Sequence, residues 1–175
     1  RADATVLAKP QLEDNNNNRL AIGDAATRSG DDGAWRTGRQ QFFPGAPLRS
    51  WALVSLTGQC DERMLSNLGR QLMEMGQREH GMSIDRPQVM LSVDTRGDPR
   101  RIRDVLIDAH RRTRGCQLIF VVMGDDKGAY RNDVLNVCDM ELGVLSKKMK
   151  ASVVEKALRQ KATFFNILYE LNVKL

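Results

Sequence analysis

Cysteine is scarce and unpaired in this sequence. Cys60, Cys116 and Cys138 are three in 175 residues, widely separated, with two histidines to join them. An odd count without close spacing argues against a disulfide framework and against a zinc site. Free thiols point to a reducing compartment, and the expected location is cytoplasmic. No apolar run approaches the roughly 20 residues of a membrane span, and no signal peptide is visible, so no membrane is expected. The G-x-G-x-x-G fingerprint, the P-loop, the G-x-S-x-G elbow and a histidine beside a nucleophile are all missing. The residues therefore predict neither catalysis nor a cofactor. Asp125 and Asp126 are adjacent acids, but acids beside a helix start are better read as caps than as a metal pair.

What is present is enough for one folded domain and a tail. Hydrophobic residues make up 41% and charged residues 28% of the chain. The net charge is +5 and the pI about 9.4. This mild basic excess permits a polyanionic partner without requiring one. The chain begins with Arg and stops on Val-Lys-Leu, and it reads as a piece of something longer.

The most informative stretch is Gly115 to Tyr130. Leu118 to Met123 is an unbroken apolar run of strand length, the pattern of a strand buried on both faces in a parallel sheet. Gly124, two aspartates, Lys127 and Gly128 follow at once. Tyr130, Val134, Val137, Cys138 and Leu142 then recur near helical spacing, with Asp125 or Asp126 available as the cap. A buried strand thus leads through a glycine-containing loop to a helix amino end, which attracts anions. Tyr130 sits in the first turn, where its ring can carry a base while the phosphate lies at the helix. An ordinary strand–loop–helix connection with a packing tyrosine fits the same residues.

Residues 1–48 have linker composition: few apolar residues, the run Asn15 to Asn18, the turn Gly30 to Gly33, and Pro44 and Pro47. Leu20 to Ile22 can form a short extended piece, and Trp35, Phe42 and Phe43 can dock on the domain that follows. Arg49 to Thr57 reads as the first core strand. Asp61 caps a helix from about Glu62 to Arg78, with Leu65, Leu68, Leu72 and Met75 on one face. His80 and Gly81 mark its end, His80 as a charge partner of the helix carboxyl end rather than a ligand. Pro87 to Val93 is a second strand. Asp98-Pro99 starts a helix with the stripe Ile102, Val105, Leu106 and Ala109. Its arginines, at 100, 101, 103, 111, 112 and 114, are read as a solvated face. Gly115 ends this helix.

Residues 146–161 hold Lys147, Lys148, Lys150, Lys156, Arg159 and Lys161 against Glu155 alone. An edge strand followed by a loop or helix fits them, and so does a continuous helix. Ala162 to Glu170 reads as the last helix, with Phe165, Leu168 and Tyr169 inward, and Leu171 to Leu175 as a strand leaving the domain. The alternation predicts an α/β fold, a mostly parallel four-stranded sheet with helices on both faces. In such sheets ligands bind beyond the carboxyl ends of the strands, where Gly124 to Tyr130 lies.

Several segments, in order, resemble the Argonaute family. GAWRTGRQQFFPGAPLRSWAL (residues 33–53) resembles the junction between its second linker (L2) and its MID domain. GQCDERMLSNL resembles the start of the first MID helix, and CQLIFVVMGDDKGAY the strand and nucleotide-specificity loop. FFNILYELNVKL resembles the closing segment. The similarity runs from about residue 19 to 175 and divides the chain into a linker, 1–48, and a MID domain, 49–175. It implies a Rossmann-like domain that holds the 5′-phosphorylated end of a small guide RNA in RNA silencing. It also implies a PIWI domain in the same parent chain, which would carry any slicing chemistry.

Carried over residue by residue, the resemblance makes Tyr130 the stacking tyrosine. The family's lysine one turn later falls on Val134, or on Leu135 if the helix holds an extra residue. The glutamine falls at about Lys147, the first carboxy-terminal lysine on Glu170 and the second on Lys174. The expected RNA 5′-nucleotide site is therefore Gly124, Lys127, Tyr130, Lys147, Lys148 and Lys174, in a domain expected to be monomeric by itself. Val134 and Glu170 depart from the family pattern. They favour the alternative of a divergent MID scaffold, a protein-interaction module with weak or no 5′-phosphate recognition.

Overall fold

The computed structural model describes residues 12–13, 17, 19–20, 45–125 and 129–175. Trp35, Phe42, Phe43, Asp126 and Lys127 lie outside the described residues. In the amino-terminal segment, Leu12–Glu13 (β1) pairs antiparallel with Arg19–Leu20 (β2), so the extended piece expected at Leu20 begins one residue earlier.

The main sheet contains Trp51–Ser55 (β3), Val89–Ser92 (β4), Leu118–Met123 (β5) and Leu145–Lys150 (β6). Its spatial order is β4-β3-β5-β6, and every pairing is parallel. β3 and β5 are central, which is why both read as continuous apolar runs. Their side chains alternate between two cores. Trp51, Leu53, Leu118, Phe120 and Val122 face one side, where they meet the helices Glu62–His80 (α1), Ala151–Arg159 (α4) and Lys161–Lys174 (α5). Ala52, Val54, Ile119 and Val121 face the other, with Pro99–Arg112 (α2) and Ala129–Leu135 (α3). The period-two alternation of a strand thus supplies both faces of a three-layer domain.

Local signals act as read for the first two helices. Asp61 accepts a hydrogen bond from Met64 N at 2.8 Å, and Gly81 closes α1 in the left-handed conformation. Asp98 accepts from Arg100 N at 2.9 Å, with Pro99 in the first turn. Ile102, Leu106 and Ala109 are buried as the stripe predicts.

Two expectations, at Asp125 and at residues 171–174, are corrected, and the structure decides between the alternatives at 146–161. Asp125 does not cap α3, which begins at Ala129. Instead its carboxylate accepts from Ser152 N at 3.3 Å and Ser152 Oγ at 2.6 Å, satisfying the amino end of α4. His80 stands in the last turn of α1, as expected. It is buried, with its ring edge-on to Phe165 at a centroid distance of 4.7 Å. The segment 146–161 resolves into an edge strand followed by a helix. Finally, residues 171–174 do not form a departing strand. Phe164, Ile167, Leu168 and Leu171 continue one buried helical stripe, so α5 runs on to Lys174.

α3 leads into a π-helical segment, Asn136–Leu142, which ends at Gly143 with φ 60° and its N–H on the Cys138 carbonyl. A π turn absorbs an extra residue without breaking the helix.

Candidate nucleic-acid interface

β6 is hydrogen-bonded to β5 along one side and forms an edge of the sheet. A cavity of about 420 Å³ runs beside it, lined by the consecutive residues 146–150. Met123 and Gly124 at the end of β5, Tyr130 and Arg131 from α3, and Glu170 and Lys174 from α5 complete the wall. The site therefore lies at the carboxyl ends of parallel strands, where loops and helix termini leave a crevice.

The pleat sends neighbouring β6 side chains to opposite faces. Lys147 leans toward α5, where its Nζ forms an ion pair with Glu170. Lys148 lies on the α3 side and feels the charges of Asp139 and Arg131. Both reach the same cavity because it wraps the strand edge. Desolvation by burial, and then the positive Lys174, push Lys147 down to about 8. The contacting Glu170 carboxylate acts the other way and helps hold the proton. Lys148 is also lowered, first by desolvation, with Lys174 and Arg131 adding repulsion against an opposing pull from Asp139. Like charges this close are disfavoured unless an anion sits among them.

Tyr130 is in the first turn of α3 as expected. It belongs to the α2–α3 core and is 8% exposed, so only a small part of its surface meets the cavity. The end of its ring lies against two glycines. A Cβ placed on Gly97 would be 3.6 Å from Tyr130 Cζ, and one on Gly124 3.6 Å from its Oη. Gly97 has φ +74°, in a region that favours glycine.

Of the six residues expected at the site, Gly124, Tyr130, Lys147, Lys148 and Lys174 line this one cavity. Lys127 lies outside the described residues. Val134, at the position of the missing lysine, is fully buried in the core, and Leu135 is only partly exposed. Neither residue lines the cavity. Arg131 and Lys150 also line the wall; the expected site includes neither, although Lys150 is part of the basic run 146–161. Lys150 stands two residues from Lys148 on the strand, which is a usable signal. Arg131 depends on where α3 starts, and no local motif sets that. Among the described residues no group of His, Cys, Asp and Glu could hold a metal ion. No helix of the described residues is long and apolar enough to cross a membrane.

No protein-family model matches the chain. Its sequence is 29% identical over 142 residues to protein argonaute 5 of Arabidopsis thaliana, covering 81% of this chain and 14% of that protein. It is 28% identical over 179 residues to protein argonaute 18 of Oryza sativa subsp. japonica, covering 98% of this chain and 16% of that one. The chain thus spans a small part of the length of the curated relatives it matches. The crystal structure of the Arabidopsis thaliana argonaute 5 MID domain superposes with a TM-score of 0.66 at 29% identity. The match covers 77% of this chain and 93% of that domain. By sequence and fold together, this chain is similar to an Argonaute MID domain.

Proposed function

We propose that this domain binds the 5′-phosphorylated end of a small guide RNA, as the guide-anchoring module of an RNA-silencing protein. The observation that carries the reading is the convergence of Arg131, Lys147, Lys148, Lys150 and Lys174 on one cavity beside Tyr130. Five cations around a crevice of this size suit a compact, highly charged anion. A terminal phosphate offers several oxygens to charge-assisted hydrogen bonds from these groups. The first base would rest against the exposed part of Tyr130, and the backbone at Gly124 would border it. On this reading the domain binds and does not catalyse, and a PIWI domain elsewhere in the parent chain would carry any cleavage chemistry.

The test is a titration with single-stranded RNA of one sequence bearing either a 5′-phosphate or a 5′-hydroxyl, at two salt concentrations. Tighter binding of the phosphorylated RNA, lost in Lys174→Ala and weakened in Tyr130→Ala, is the expected result. Equal binding of both RNAs, abolished alike by salt, would make the basic charge nonspecific and leave the scaffold reading. Two observations favour that second reading: the small exposed area of Tyr130 and a carboxylate, Glu170, already on Lys147.

A further inference from the structure

The ion pair between Lys147 and Glu170 is lopsided. The lysine side chain is 6% exposed and the glutamate side chain 61%. A buried ammonium without a partner is strongly disfavoured, so Lys147 needs an anion. In the unliganded domain Glu170 supplies one. It does so from α5, while lining the same cavity as the cations. Glu170 is the one acid among the described residues that line it.

We propose that Glu170 sets how strongly this cavity selects a terminal phosphate: its carboxylate holds the place on Lys147 that the phosphate would take. The inference deepens the guide-end reading and rests on it. A phosphate that enters while Glu170 stays in place meets a like charge at contact distance. A phosphate that displaces Glu170 gains Lys147 but breaks an existing ion pair, so only the difference between the two counts. A 5′-hydroxyl end needs no such exchange. Displacement is sterically simple, since the glutamate side chain is mostly in solvent and can swing away without unpacking α5. Glu170 therefore keeps the empty site stable and narrows the preference for phosphate over hydroxyl. It is a selectivity residue that acts through Lys147.

The experiment compares wild type, Glu170→Gln, Glu170→Ala and Glu74→Gln as full chains, each titrated with 5′-phosphorylated and 5′-hydroxyl RNA of one sequence. Glu74→Gln removes the same charge from an exposed residue of α1 that does not line the cavity, and so controls for net charge. In the Glu170 variants the phosphorylated RNA should bind roughly tenfold tighter or more, the scale of one charge-assisted hydrogen bond. The hydroxyl RNA should change by less than about twofold, and Glu74→Gln should leave the preference between the two RNAs as it is in wild type. In parallel, the ¹³C carboxyl resonance of Glu170 should shift and saturate as inorganic phosphate is added to wild type.

A wild type that prefers phosphate, with that preference unaltered or reduced in the Glu170 variants, overturns the inference and keeps the guide-end reading. An equal gain in Glu74→Gln overturns it too. If no variant separates the two RNAs and phosphate leaves the Glu170 resonance unmoved, both the inference and the guide-end reading fall.

Discussion

Lys147 and Glu170 stand twenty-three residues apart in sequence and pair across β6 and α5, with the ammonium buried and the carboxylate open. The pair joins the edge strand to the last helix at the floor of the cation-lined cavity. Its two members respond differently to any ligand, because the ammonium is shielded from water and the carboxylate is not.

Phosphate binding should weaken as pH rises through the Lys147 transition. Burial and Lys174 bring this lysine down to about 8, and a phosphate is held by the ammonium form only. The terminal phosphate has its second pKa near 6, so its own charge is already complete in this range. Affinity for 5′-phosphorylated RNA should therefore fall between about pH 7 and 9. Lys147→Met should bind more weakly at pH 7 and lose this part of the pH dependence. Since Glu170 helps to hold the proton, Glu170→Gln should move the midpoint lower. For stability the sign is the reverse. The folded-state pKa lies below the unfolded one, so this group contributes stability that rises with pH from about 8 upward and is lost as pH falls through 8. Isothermal titration calorimetry across this range, with thermal melts beside it, checks both.

Gly97 and Gly124 should answer differently to alanine although both lie against Tyr130. Gly97 has φ +74°, where a Cβ costs about 1 kcal/mol. Gly124 has no such conformation, and its added Cβ would meet Thr57 Oγ1 at 3.5 Å, an ordinary contact. Gly97→Ala should lower urea stability by about 1 kcal/mol, and Gly124→Ala should change it by less than about half of that.

Asp125→Ala should destabilise the domain by about 1 kcal/mol, the value of a helix cap. Its carboxylate satisfies the amino end of α4 through Ser152. Hydrogen exchange should show the loss at residues 151–154, with the start of α3 unaffected. Protection lost at the start of α3 instead would restore the local-cap reading of the sequence.

Leu171→Ala should cost about 2–5 kcal/mol, as a fully buried leucine in a helix does. Leu171 belongs to the core built by α1, α4 and α5. A departing strand at this position would make the change nearly silent in a chemical denaturation curve.

The sequence by itself determined the elements and their buried faces. The runs Trp51–Ser55 and Leu118–Met123 are apolar because strands inside a parallel sheet meet helices on both sides. The stripes of α1 and α2, with the caps Asp61 and Asp98, depend on contacts within a few residues, which local spacing encodes. It also marked Tyr130, Lys147, Lys148 and Lys174, through a resemblance that spans the domain.

What only the tertiary structure decided is which of these groups meet. Asp125 serves α4 rather than the helix that follows it, because the end of β5 lies next to the start of α4. Arg131 enters the cavity because α3 starts at Ala129, a phase that no cap residue announces. Lys147 becomes a buried cation with a carboxylate on it because the fold brings Glu170 of α5 to the edge strand. Periodicity reports the side of an element that is buried, within a few residues. It cannot report the partner from a distant element, since that choice is made by the packing of the whole sheet and its helices.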